Sequence, residues 1–210
     1  MKLLNLVVGM IETNCYIAYD EISSHGVVID PGANANSILQ AITTNNISID
    51  YVLLTHGHFD HILAAASICQ ATGAKLVIHK NDAALLKEAV VRQYSAYIQG
   101  EFHEKLADIL AEDGTTIKTA DMTFRYVHTP GHTPGSCVIV CGNIMFSGDT
   151  LFREQCGRCD LAGGDFSQML LSLKRLYTME EYQVFCGHGE ATTLSYERMH
   201  NPYMKQAVSS

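Results

Sequence analysis

Apolar residues fall along the chain in short runs separated by turn-forming residues, and these runs predict strands and helices in a definite order. Strand-like runs come first, at 3–8, 15–19 and 26–29, the third closed by the turn Asp30-Pro31-Gly32. Ile38, Leu39 and Ile42 sit at helical spacing and predict a short amphipathic helix over 36–45. The continuous apolar run at 49–55 (IDYVLLT) predicts a buried strand. The Ala-rich stretch 62–73 ends in Gly73 and predicts a helix with a C-terminal stop, followed by a strand at 75–79. Residues 81–112 are rich in Ala, Leu, Lys and Glu and are helical by propensity, with Asn81 or Asp82 to cap the start and Gly100 to divide the stretch. After the turn Asp113-Gly114, short strands are expected at 116–118, 123–128, 136–141 and 144–147. A helix capped by Asp165 follows at 165–177, then a strand at 183–186 and a last helix at 194–204, interrupted or ended near Pro202.

Strands come as a group, then alternate with helices, and then the order begins again. About ten strands and about five helices suit an α/β fold with layers of helix outside paired sheets. No low-complexity stretch, Pro/Ser-rich linker or fixed-period repeat divides residues 1–210, so one domain is expected.

Composition narrows the class. With 47% hydrophobic and 17% charged residues, the chain reads as globular rather than disordered. A net charge of -8 and no basic cluster longer than Lys174-Arg175 argue against a duplex nucleic-acid partner. No apolar run reaches the ~18 residues of a membrane span. A lysine precedes an apolar stretch in MKLLNLVVGMI, but Asn5 and Gly9 interrupt it and no A-x-A-like cleavage site follows, so it reads as a first strand. Seven cysteines, an odd number in a chain large enough to need no staples, fit a reducing cytoplasm.

The candidate chemistry centres on Thr55-His56-Gly57-His58-Phe59-Asp60-His61, directly after a predicted buried strand. Gly57 lets the backbone turn so that His56 and His58 can aim at one place, while Asp60 and His61 aim at a neighbouring one. Three more candidates follow, each after an apolar strand and beside small residues: His132 in TPGHTPG, Asp149 in SGDT and His188 in GHG. Five histidines and two aspartates exceed what one four-coordinate zinc uses. Two cations sharing one carboxylate would use all seven, and in such sites the ions stand ~3.5–4 Å apart. Imidazole with carboxylate suits Zn, Fe or Mn without a thiolate.

These residues resemble the metallo-β-lactamase-fold hydrolases, and among them the short, single-domain proteins similar to glyoxalase II (hydroxyacylglutathione hydrolase). The signature H-x-H-x-D-H stands at 56–61, with NCYI at 14–17, VVIDPG around Asp30, SGDTLF at 147–152, GRCDLAGGD at 157–165 and ERMHNPY at 197–203. The resemblance implies an αββα sandwich of two mixed sheets flanked by helices. It implies that His56, His58 and His132 hold one divalent metal, that Asp60, His61 and His188 hold a second, and that Asp149 bridges them. Asp30 would orient ligands from behind. Zinc is the expected ion, with iron or manganese as alternatives. The implied reaction is hydrolysis of a small-molecule thioester such as S-lactoylglutathione by hydroxide held between the metals. Asp60 would be the catalytic group that orients the water and takes its proton.

Only 22 residues follow His188, at 189–210. The C-terminal helical extension that supplies glutathione contacts in full-length glyoxalase II is therefore not expected, and no substrate-binding residue is assigned. Other readings share the pattern. A persulfide dioxygenase would hold one iron with His56, His132 and Asp149. A diiron oxygen or nitric oxide reductase resembles H-x-E-x-D-H, whereas this chain has His58. A lactonase, an RNA-processing nuclease or a metal-binding protein without turnover would use the same fold. His25, His79, His103, His128 and His200 are expected to be structural or surface residues. Cys156-Gly157-Arg158-Cys159 has the C-x-x-C spacing of redox or zinc chemistry, without a thioredoxin-like context or a second C-x-x-C. Arg153 and Arg158 lie near enough to Asp149 in sequence to serve an anionic substrate or to form ion pairs. Phe59 is expected to pack or to line the mouth; Tyr94, Tyr97 and Phe102, apolar at helical spacing, read as core, and if any segment covers the site and selects the substrate it is 81–112.

Overall fold

The computed structural model describes residues 1–87, 91, 94, 96 and 102–209. The first sheet runs in chain order: β1 (Lys2–Val8), β2 (Thr13–Tyr19), β3 (His25–Ile29), β4 (Ser48–Leu53), β5 (Lys75–His79) and β6 (Ile109–Ala111). Its first three strands pair antiparallel and the rest parallel, so the sheet is mixed. Helix α1 (Ala35–Thr44) connects β3 to β4, and α2 (Phe59–Ile62) and α3 (Ala65–Thr72) connect β4 to β5. The second half of the chain supplies β7 (Thr116–Thr119), β8 (Met122–His128), β9 (Cys137–Cys141) and β10 (Ile144–Gly148). A two-stranded ribbon, β11 (Leu151–Phe152) with β12 (Gln155–Cys156), leads to α4 (Phe166–Tyr177). Then come β13 (Gln183–Cys186), β14 (Thr192–Thr193), α5 (Leu194–His200) and α6 (Pro202–Ser209). The second sheet has the order β14-β13-β10-β9-β8-β7, with β10 and β13 parallel and the other neighbours antiparallel.

The continuous apolar runs have a direct cause, because both faces of each sheet are covered. Tyr16, Ile29, Leu53 and Val77 from the first sheet meet Phe124, Tyr126, Ile139 and Phe146 from the second. On the far side of the first sheet, Ile17, Val28 and Val52 pack with Ile38, Ile42 and Ile68 of α1 and α3. On the far side of the second, Val127, Val138 and Val184 pack with Met169, Leu173 and Met204 of α4 and α6. Two mixed sheets flanked by helices make the expected αββα sandwich. Among the described residues, no helix is long and apolar enough to cross a membrane.

Several elements differ from the pattern reading. The helix expected at 62–73 is α3 and starts later, at Ala65, with Gly73 closing it in the left-handed region at φ 77° as its C-terminal stop, while α2 is a separate turn before it. The last helix is interrupted at Asn201, as the pattern predicts, and Pro202 opens a second helix there. The long helix expected over 81–112 is corrected at both ends. Lys80–Leu86 forms a 3-10 turn, and Ile109–Ala111 is the edge strand β6, where pairing with β5 overrides helical propensity. His79, not Asn81 or Asp82, caps the turn by accepting from the Asn81 amide, and Asp82 is fully buried. Gly100 and Tyr97, named for that stretch, lie outside the described residues. The ribbon β11–β12 and the two-residue strand β14 are too short to leave a periodic signal.

Candidate metal centre

Strands β4, β8, β10 and β13 each deliver a loop to one edge of the sandwich, and these loops bring the seven candidate residues together. His56 and His58 follow β4, and Asp60 and His61 lie in α2. His132 follows β8, Asp149 follows β10 and His188 follows β13. The ligating atoms of His56, His58 and His132 lie within 4.8 Å of one another, and those of Asp60, His61 and His188 do the same. Asp149 stands between the two groups: Oδ2 is 3.4 Å from His132 Nε2 and 3.7 Å from His188 Nε2, and Oδ1 is 3.3 Å from His61 Nε2. His188 Nε2 is 3.3 Å from Asp60 Oδ2 and 3.3 Å from His61 Nε2. Across the other group, His58 Nδ1 lies 2.7 Å from His132 Nε2.

The outward nitrogens are held by the fold. His61 Nδ1 donates to Asp30 Oδ2 at 3.0 Å, and His132 Nδ1 donates to the Arg158 carbonyl at 2.7 Å. Each bond fixes a ring so that Nε2 faces the centre. Asp30 also accepts from the Thr55 amide and hydroxyl, so both its oxygens are engaged behind the ligands. Asp30 belongs geometrically to a third cluster with His56 and His61, but its engaged oxygens make it an orienting group.

Charge is distributed unevenly. Burial, reinforced by neighbouring His61 and His132, pushes His56 well below the usual imidazole value. Burial and His132 bring His58 down to about 4, so both rings are neutral near pH 7 and offer lone pairs. Burial also opposes a charge on His61, but the facing Asp149 and Asp60 outweigh it and hold the group well above its ordinary value. Burial would raise Asp60, yet His61 and His188 reverse the effect and keep its carboxylate below the usual range. The second group is thus a place where positive charge is stabilised.

His56 Nε2 and Asp149 Oδ1 are buried and have no hydrogen-bond partner among the described residues. A buried polar atom without a partner costs about 1–3 kcal/mol. Two of them in one cluster of nitrogen and carboxylate donors fit a cation that accepts lone pairs from both. The donor set is hard to borderline and contains no thiolate, which suits Zn, Fe or Mn.

Other sequence candidates fall elsewhere. His79 stacks on His128 with ring centroids 4.1 Å apart, His200 stacks on Tyr196, and His25 pairs with Asp50. His103 lines a surface cavity beside α3. Arg153 lies over the Tyr196 ring and 3.5 Å from Glu190, and the Arg158 side chain grips Asp160 at two points. All seven cysteines are free, and burial, with Cys159 adding to it, pushes the Cys156 thiol up to about 12. Phe59 stacks on Tyr94 at 4.4 Å and lines a cavity beside Asp60.

Sequence reasoning missed several contributors. Asn14 ties the His188 loop down: its amide donates to the Gly187 carbonyl, and its side chain donates to the Cys186 and Gly189 carbonyls. Thr13 donates to Asp60 Oδ2 at 3.3 Å. The NCYI match covered Asn14 without revealing this role. Gly157 lies where a Cβ would come 1.8 Å from the Asp149 carbonyl oxygen and 3.1 Å from His132 Nδ1. Gly157→Ala is therefore expected to displace the Asp149 or His132 backbone and lose at least one bound metal per chain, measured by elemental analysis of the folded variant. Full metal content would show that the loop yields without moving the ligands.

The model of one protein family, the metallo-beta-lactamase superfamily, matches residues 8–188. Hydroxyacylglutathione hydrolase GloC of Haemophilus influenzae is 29% identical over 209 residues, 97% of this chain and 98% of that protein. The crystal structure of the BLEG-1 B3 metallo-beta-lactamase superposes with a TM-score of 0.88 at 32% identity, covering 97% of this chain and 99% of that one. The structure of TTHA1623 in a di-iron-bound form superposes at 0.83 with 32% identity, covering 95% and 99%. The αββα layers, the clustered histidines and aspartates at the sheet edge and a family match spanning all seven candidate positions lead to one assignment: the chain belongs to the metallo-beta-lactamase superfamily.

Proposed function

We propose that the chain is a two-metal hydrolase that cleaves thioesters of small acyl groups, of which S-lactoylglutathione is the test case. The observation that carries this reading is Asp149 standing between two three-residue ligand groups, with the Asp60 carboxylate at the edge of the second. The likeness to a hydroxyacylglutathione hydrolase supports the substrate class.

His56, His58 and His132 would hold one divalent cation, Asp60, His61 and His188 a second, and Asp149 would reach both. Zinc is the ion proposed, with iron or manganese as alternatives. Cations bound there polarise a carbonyl and make hydroxide available near pH 7. Asp60 is ionised at neutral pH and is steadied by the Thr13 hydroxyl, so Oδ2 is placed to align the attacking water and receive its proton. Water adds to the carbonyl carbon, the carbon–sulfur bond breaks, and acid and thiol leave. Met10, Ile11, Phe59 and Leu63 wall a cavity of about 100 Å³ that opens on Asp60, a space suited to a small acyl group. Asp30 and the Arg158 carbonyl keep His61 and His132 aimed during turnover.

Metal content per chain, measured beside S-lactoylglutathione hydrolysis on the same sample, tests the reading. About two metals per chain are expected, with rate tracking occupancy and falling to background after chelation. One iron per chain with oxygen consumption on a persulfide would assign the chain to dioxygenase chemistry instead. Tight metal binding with no turnover of thioesters, lactones or phosphodiesters would make it a metal-binding protein.

A further inference from the structure

Asp82 lies outside both ligand groups, in the 3-10 turn after β5, and is fully buried. Its carboxylate accepts three hydrogen bonds. Oδ2 takes the Gly57 amide at 2.9 Å and the Thr133 hydroxyl at 2.7 Å, and Oδ1 takes the Gly135 amide at 2.7 Å. Gly57 separates His56 from His58, and Thr133 follows His132. One carboxylate oxygen therefore ties a loop of the first sheet to a loop of the second. Because the Thr133 hydroxyl donates to Asp82, it accepts from Ser136 Oγ at 2.7 Å, and Ser136 Oγ in turn accepts from the Thr133 amide at 3.0 Å. The loop after His132 is thus closed on itself and anchored to Asp82.

The fit leaves no slack. A Cβ on Gly135 would come 2.5 Å from Asp82 Oδ1, and one on Gly57 would come 2.7 Å from Leu85 Cβ in the same turn. The two loops lie directly against the turn that carries Asp82. Beyond them, His58 Nδ1 and His132 Nε2 stand 2.7 Å apart. Burial holds the Asp82 carboxyl above its ordinary value, and the three donors to it, Thr133, Gly57 and Gly135, work in the opposite direction. A buried carboxylate held by donors from two loops is a strong and directional clamp.

We propose that Asp82 is a positioning residue for the metal centre: by joining Gly57 to Thr133 it sets the spacing of His58 and His132, and so the strength with which the three-histidine group holds a cation. The proposal rests on the two-metal reading above, but its test does not depend on the substrate. Metal-free wild type, Asp82→Asn and Thr133→Val are titrated with Co(II), following bound equivalents and the visible absorption of the bound cobalt. Asn presents an NH₂ to at least one of three donors, while Val removes the Thr133 hydroxyl with its bonds to Asp82 and Ser136 and leaves the carboxylate.

Wild type is expected to take two equivalents. Asp82→Asn should weaken one of them by about 10–100-fold and shift its absorption, with the other unchanged. Thr133→Val should weaken the same equivalent by less. A variant with a lower melting temperature and two wild-type cobalt affinities, or with both weakened alike, would overturn the proposal and make Asp82 a general fold element. If Asp82→Asn does not fold, Thr133→Val decides by the same comparison. If wild type takes a single cobalt, the two-metal reading fails. The clamp is then judged on that ion, where unchanged affinity in Thr133→Val overturns it and weakened affinity with an altered spectrum supports it.

Discussion

Asp60→Asn is expected to lower kcat for S-lactoylglutathione hydrolysis by about 10²–10⁴-fold, the usual range for removing a positioned proton acceptor. The amide keeps the shape of the carboxylate and one oxygen that can ligate. It loses the charge that His61 and His188 stabilise, and it cannot take a proton from water. Folding should survive, because Asp60 is only partly buried and the oxygen of Asn can still meet the Thr13 hydroxyl and His188 Nε2, each 3.3 Å from Asp60 Oδ2. Metal content must be measured on the same protein. A rate near wild type with full metal content would remove Asp60 from the mechanism. A low rate with one metal missing would assign it a ligand role alone.

The largest effect on stability should come from Asp30→Ala, at about 3–5 kcal/mol, the scale for removing one partner from a buried charged network. Three donors lose their acceptor at once: the Thr55 amide, the Thr55 hydroxyl and His61 Nδ1. Asp30 also has φ 49°, in the left-handed region that a short polar side chain tolerates better than Ala does. Denaturant unfolding of the metal-free protein would check this. A loss under about 1 kcal/mol would mean that water replaces the carboxylate and that the network is not closed. Asp30→Asn separates charge from shape, since it keeps one acceptor but presents NH₂ to the others.

What could be read from the sequence follows from range. The histidine-rich loop was legible because its ligands crowd into 56–61 after an apolar strand. His132, Asp149 and His188 were legible as polar residues at the ends of apolar runs, although their convergence came from the family resemblance rather than from spacing. Strand runs such as 75–79 and 183–186 survived intact because both faces of each sheet are buried. Asp82 was invisible as a clamp, since an Asp before Ala-Ala-Leu-Leu reads as a helix cap until the fold brings Gly57 and Thr133 to it. The Arg158 carbonyl was invisible for a deeper reason: a backbone acceptor carries no residue signature. Strand β6 was misread because three residues at a sheet edge owe their conformation to β5 and not to their own propensity.

The attachment of Asn14 to the His188 loop also bears on the order in which the site is built. Its side-chain bonds join residues 172 and 175 positions apart. Loops that long close slowly, and a chain leaving the ribosome completes its early segments first. The cluster around His56 and His58 can gather while β13 is still unmade, but the last histidine arrives only with the end of the second sheet. The hairpin of β1 and β2, made well before β13, must then wait as an unfilled socket until that loop reaches it. Completion of the centre therefore waits for the loop after β13, and an intermediate lacking that closure has at most six of the seven candidate residues in place.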